Sequence, residues 1–242
     1  MLDRKKCKSF AKQQLKGRYG ITILITALIL IINVLLLIPS YIKLYQSSAF
    51  LSFMNNPSPS DYDLQSVIDV YNDATPLWYT LIIFCIATIL EVASLNVYIK
   101  ISKSPEKVTF SHFLDGLNDW GRAVLAGIWK QLWIIIWSAL FIIPGIIKSI
   151  EYSQMYFIIA EHKEVSARKA MKISMYITKG HKLDLFVMYL SFFGLILLSS
   201  LTMGIGYIFT IPYMNMTLIN AYHFMLKEAL NSDIISMEDL SE

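Results

Sequence analysis

Long apolar runs alternate along the chain with short polar, mostly basic segments. A bilayer core of about 30 Å takes about 20 apolar residues of helix. Residues 21–41, 77–101, 123–143 and 183–201 reach that length, and 206–226 makes a fifth run. A sixth run, 146–160, is shorter and carries Lys148 and Glu151. Joined to 123–143 it would form a helix of roughly 57 Å, nearly twice what the hydrocarbon requires. Pro144-Gly145 stands in the middle of that stretch, where proline removes a helical hydrogen bond and glycine adds backbone freedom. The pattern therefore predicts a tight hairpin there and an all-α transmembrane bundle of about six spans.

Charge orients these spans. Lys and Arg favour cytoplasmic loops. With six spans the inner segments are 1–19, 102–122, 161–182 and 227–242, and of the basic residues only Lys43, Lys130 and Lys148 fall clearly elsewhere. Five spans would turn Lys163, Arg168, Lys169, Lys172, Lys179 and Lys182 outward. Both termini are thus expected in the cytoplasm. The whole chain reads as a single integral membrane domain. Its flanking features are a basic amphipathic segment at 1–19, an outer loop at 42–76, a basic inner loop with a short helix at 161–182, and a flexible acidic tail at 231–242.

Composition supports this reading: of 242 residues, 55% are hydrophobic and 16% charged, and mean hydropathy is +0.52. Soluble domains carry about 25% charged residues. The basic residues lie beside membrane segments, which argues against nucleic acid as a partner. Cys7 sits in a basic segment and Cys85 in an apolar run, so no disulfide framework or cysteine metal site is expected. The first apolar run exceeds the roughly 7–15 residues of a signal sequence core, so it is read as an uncleaved span. In the outer loop, Leu64, Val67, Ile68 and Tyr71 follow helical spacing beside Asp61, Asp63, Asp69 and Asp73.

Ionisable groups within spans are costly, about 2.5–3.5 kcal/mol each on insertion scales, and tend to face the bundle interior with a partner. Glu91 and Lys130 sit at matching depth on consecutive antiparallel spans and are expected to pair. That pair is either structural or part of a substrate or proton site. Lys148 and Glu151, three apart, share a helix face near the outer turn, as a local pair or as a polar constriction. Pro144, Gly145, Gly204 and Gly206 are the expected hairpin-turn residues. Trp129, Trp133 and Trp137 recur every four positions as one stripe, read as packing or lipid-facing.

Arg4, Lys5, Lys6, Lys8, Lys12, Lys16 and Arg18, with an apolar stripe of Phe10, Ala11, Leu15 and Tyr19, suit an inner-leaflet helix against anionic lipid. Residues 165–178 read likewise, with Gly180 placed to end the helix. Asp115 and Asp119 are expected to be solvated or to cap the third span. His112, His162, His181 and His223 show no ligand spacing, and neither a nucleophile elbow nor a phosphate-binding loop occurs. Asp61-Tyr62-Asp63 lacks the turn glycine and distal glutamate of a calcium loop. No cofactor, metal or enzymatic activity is expected.

Ile143-Pro144-Gly145-Ile146-Ile147-Lys148 with Tyr152, then Ala170 and Ser174, Lys179-Gly180-His181-Lys182, Leu190-Ser191-Phe192, Gly204-Ile205-Gly206 and Pro212-Tyr213 form a recognisable series. Leu15-Lys16-Gly17 before the first span fits with it. The chain resembles an uncharacterised family of bacterial integral membrane proteins, domain of unknown function 975. That family is similar in turn to the membrane domain preceding some glycerophosphodiester phosphodiesterases. His181 stands where the pattern has Asn, and Leu195 where Trp is common. The resemblance implies a multi-span bundle in the cytoplasmic membrane and brings no catalytic residues. Two functions remain open: a carrier-like or lipid- or solute-handling protein, and a non-catalytic accessory protein docking a protein partner or a second copy.

Overall fold

The computed structural model describes residues 2–47, 51, 68–69, 71–72 and 74–241. Much of the outer loop, including Leu64, Val67, Asp61, Asp63 and Asp73, lies outside the described residues, and with it the short helix and acidic set expected there. The described residues form α-helices and one 3-10 helix, with no strand among them. In chain order the helices named below are α1 (Arg4–Leu15), α2 (Tyr19–Gln46), α3 (Leu77–Lys103), α4 (Ser111–Leu117), α5 (Trp120–Leu140), α6 (Ile142–Glu151), α7 (Met155–Glu161), α8 (Ala167–Ile177), α9 (Lys182–Leu201) and α10 (Tyr207–Asn231).

Two compact units divide the chain. In Leu28–Ala87, the Tyr79 hydroxyl donates to the Leu36 carbonyl, and Trp78 meets Tyr79 edge-on at 5.7 Å. The other unit, Met1–Ala27 with Thr88–Glu242, holds the cavity, the groove and the polar clusters described below.

Four described helices, α2, α3, α5 and α9, are long and apolar enough to cross a membrane. On α5 and α9 the apolar side chains point outward: Leu125, Ile135, Leu190 and Leu198 are each more than half exposed. A soluble fold would bury such residues, whereas lipid is as apolar as they are. The fifth expected run lies within α10, which is long enough but more polar.

The sixth expected run is not one helix. Phe141 breaks the chain with extended backbone, α6 runs for ten residues, and the turn through Tyr152, Ser153 and Gln154 separates it from α7. The hairpin turn is therefore at Phe141, and Pro144 and Gly145 lie inside the first turns of α6. Proline is tolerated there because the first helical N–H groups have no intrahelical acceptor. Gly145 instead permits close approach: a Cβ there would lie 2.9 Å from the Cα of Ser138. The chain then returns along α5, since Arg122 near the start of α5 donates to the carbonyls of His162 at 2.8 Å and Val165 at 2.7 Å.

The α9–α10 hairpin repeats this device. A Cβ at Gly206 would lie 2.7 Å from the Cα of Ser199. Met203 and Gly204 both take left-handed backbone in the connecting turn, a conformation that glycine adopts at little cost. In both hairpins a serine precedes the glycine by seven positions.

Helix α1 buries Cys7, Ala11 and Leu15 at i, i+4 and i+8, while Phe10 is 45% exposed. The buried stripe therefore runs through Cys7 rather than the expected Phe10. Asn220 of α10 donates to the Gln14 side chain at 2.8 Å, and Lys8 to Ser191 at 2.7 Å. Arg18 caps the end of α3 through the carbonyls of Ser104 at 2.7 Å and Ile101 at 3.2 Å. Ser166 caps α8 at its start, and Gly180, at φ +90°, follows its last turn. The tail is not loose: Ile235 and Leu240 are buried, and Asp239 meets Lys169 at 3.6 Å. Two apolar side chains within a short segment suffice to dock it.

Candidate functional site

Six helices converge on a cavity of about 550 Å³, α6 among them through Ile146, Ser149 and Ile150. Glu91 comes from α3, Lys130 and Gln131 from α5, Tyr156 from α7, Tyr189 from α9 and Asn215 from α10, among apolar side chains such as Leu95, Ile134 and Phe186. Glu91 and Lys130 are thus on one wall system and each feels the other's charge, but they do not close into a direct ion pair. The Lys130 ammonium instead stands over the Tyr156 ring, 3.9 Å from its centroid, an attraction that strengthens when desolvated. Two opposite charges that line one cavity without closing on each other leave each with capacity for a further partner.

Lys148 and Glu151 do meet, at 2.7 Å. Glu151 also accepts from Lys182, which the sequence places in the inner loop, and its carbonyl accepts from Ser174 of α8 at 2.6 Å. The reason lies in the length of α6: ten residues carry the chain roughly 15 Å from the turn at Phe141. Glu151 consequently lies well away from the hairpin tip and reaches the foot of α9, not the outer turn. Replacing Glu151 with leucine should leave two lysines facing each other without an anion. A cost of about 2–3 kcal/mol is expected, below that of a fully buried pair because Lys182 is 39% exposed. A thermal melt of the purified variant checks this, and Glu151→Asp should recover part of the loss.

Sequence reasoning missed a second polar cluster, where the ends of α3 and α7 meet α10 at His223. Glu161, with its side chain only 5% exposed, meets Lys103 at 2.5 Å and His223 at 3.3 Å. Burial alone would push this carboxyl up. The hydrogen bond and charge of His223, with Lys103 and the neighbouring Tyr222 hydroxyl, outweigh burial and hold it at about 2. Burial pushes the adjacent His162 imidazole below its ordinary value, against the pull of Glu161. Asp119 joins the same end of the unit through Arg122 and Lys163, each at 3.5 Å, and its side chain makes no cap on α5. Glu161-His162 and His223 lie 62 positions apart, so only folding brings them together.

The tryptophan stripe lines a groove rather than facing outward alone. Trp129, Trp133 and Trp137 form one side, and Arg168, Met171 and Lys172 of α8 the other. No cluster of His, Cys, Asp or Glu among the described residues could hold a metal ion.

The described residues define an all-helical fold, and four of its helices are long and apolar enough to span a membrane. Residues 1–150 and 140–229 match the family described as protein of unknown function (DUF975), and the chain belongs to that family. No curated protein and no solved structure matches it.

Proposed function

We propose that the chain is a multi-span protein of the bacterial cytoplasmic membrane that binds a small polar solute in its central cavity, in the manner of a carrier. In this reading six passes place both termini in the cytoplasm. Helices α6 and α7 together make one broken return pass, and α10 makes the last. The return of the chain from Phe141 to the level of Arg122 supports the fourth pass. Non-ideal helix breaks are tolerated at membrane depth where they border a cavity, and Ser153, in the break, lines this one. The likeness to the membrane domain preceding some glycerophosphodiester phosphodiesterases belongs to this reading and brings no catalysis.

The observation carrying the proposal is the cavity with Glu91 and Lys130 on its walls. A ligand bearing both charges, with an acid group toward Lys130 and an amine toward Glu91, would satisfy them together. Water access is the measurable consequence. With Cys7 and Cys85 replaced by alanine, Asn215→Cys should react with a membrane-impermeant thiol reagent in intact vesicles or after solubilisation. Leu197→Cys, 49% exposed on the outside of α9, should stay unreactive in vesicles. An inert Asn215→Cys in both conditions would indicate a dry bundle and favour the accessory role. Topology is checked separately: reporter fusions after Pro144 and after Gly180 should report opposite compartments, and a shared compartment would remove the six-pass arrangement.

A further inference from the structure

We infer that the groove between α5 and α8 is a binding site for an acidic phospholipid, distinct from the central cavity. The groove encloses about 370 Å³. Its floor is the stripe of Trp129, Trp133 and Trp137, and around it stand Lys148, Arg168 and Lys172, with no carboxylate in the lining. Arg168 lies 5.0 Å from the Trp129 ring centre, and Lys148 lies 5.1 Å from that of Trp137.

Three observations set the chemistry of the occupant. First, the charge is unbalanced. Arg168 and Lys172 stand four apart on one exposed face of α8, an arrangement that repels. Glu151 is shared between Lys148 and Lys182, and Asp239, which borders an adjoining pocket with Arg168 and Lys172, meets Lys169 at 3.6 Å. An anionic group between Arg168 and Lys172 would relieve this repulsion. Second, the indole N–H of Trp133 is buried and has no acceptor among the described residues. A buried donor without an acceptor is costly, so an ester or phosphate oxygen reaching it would be favourable. Third, the floor is aromatic and belongs to α5, one of the helices of membrane-crossing length. Indole rings prefer the interfacial zone of a bilayer, where a headgroup meets acyl chain. A soluble anion would use the cations but gain nothing from three tryptophans. A phospholipid uses both.

This inference rests on the membrane reading but not on the central cavity. The test uses the full chain in a neutral mild detergent, with phosphatidylglycerol and phosphatidylcholine of identical acyl chains added in turn. Native mass spectrometry counts retained lipid, and tryptophan fluorescence follows the groove. Phosphatidylglycerol should be retained in clear preference to phosphatidylcholine and should change the fluorescence. The Arg168→Ala/Lys172→Ala variant should lose about thirtyfold of phosphatidylglycerol affinity, at about a factor of five per basic residue near an anionic headgroup. Its helical circular dichroism and monodispersity should match those of the parent. A Lys5→Ala/Lys16→Ala variant, which removes two basic residues of the N-terminal segment, should retain the preference. Inorganic phosphate should not displace the lipid. Equal retention of the two lipids, an undiminished preference in the Arg168/Lys172 variant, or displacement by phosphate would each overturn the assignment. A chain that stays soluble without detergent would overturn it together with the membrane reading.

Discussion

Replacing Glu161 with glutamine should lower the melting midpoint at pH 7 by about 6–12 °C, an expected loss of about 3 kcal/mol for a chain of this size. The carboxylate is nearly inaccessible and bonded to Lys103 and His223, so its removal leaves the Lys103 ammonium without its counter-ion and the His223 imidazole without its carboxylate partner. The same group sets an acid response. Its folded value, about 2, lies below the ordinary 4.5. The folded chain therefore binds fewer protons there than the unfolded chain, and the contribution is fully present above pH 4.5. It fades as pH falls from 4.5 toward 2. His162, also held below its ordinary value, adds a slope of the same sign beginning near pH 6.5. Melts of the parent and of Glu161→Gln at pH 7 and pH 3 separate these contributions. The gap between the two proteins should narrow at pH 3, and an unchanged gap would exclude the carboxylate as its source.

Gly206→Val and Gly145→Val should each destabilise the chain by about 2–3 kcal/mol and reduce the yield of monodisperse protein. The obstacle in both cases is backbone, since the added Cβ would sit 2.7 Å from Ser199 Cα or 2.9 Å from Ser138 Cα. Neither helix can yield without opening its hairpin, because small residues at these contacts are what allow the backbones to approach. The hairpins also hold the cavity walls: α5 and α6 carry Lys130 and Ser149, and α9 and α10 carry Tyr189 and Asn215. Gly194→Ala is the internal comparison. Nothing lies within 4 Å of a Cβ there, so the change should be neutral or slightly stabilising through helix propensity. Thermal unfolding followed by size-exclusion chromatography ranks the three variants, and equal behaviour of Gly194→Ala and Gly206→Val would contradict the close-approach account.

The apolar helices were legible in the sequence, because their signal is length and composition within one segment. Rise per residue converts position into height and led to the expectation that Glu91 and Lys130 meet, and both do line one cavity. Gly180 as a helix end and the pairing of Lys148 with Glu151 were equally local, and so legible. The tertiary structure alone decided what crosses between segments. It moved the turn to Phe141, divided the short run into α6 and α7, and brought Lys182 to Glu151 and His223 to Glu161. It placed Glu91 and Lys130 on the lining of one cavity and turned Lys130 toward Tyr156. It also seated α8 against the tryptophan stripe, where periodicity alone suggested packing or lipid. Periodicity fixes which face a residue occupies and how high it stands. Which helix lies opposite depends on close approach at Gly145 and Gly206 and on buried charges finding partners, and those conditions exist only once the chain has folded.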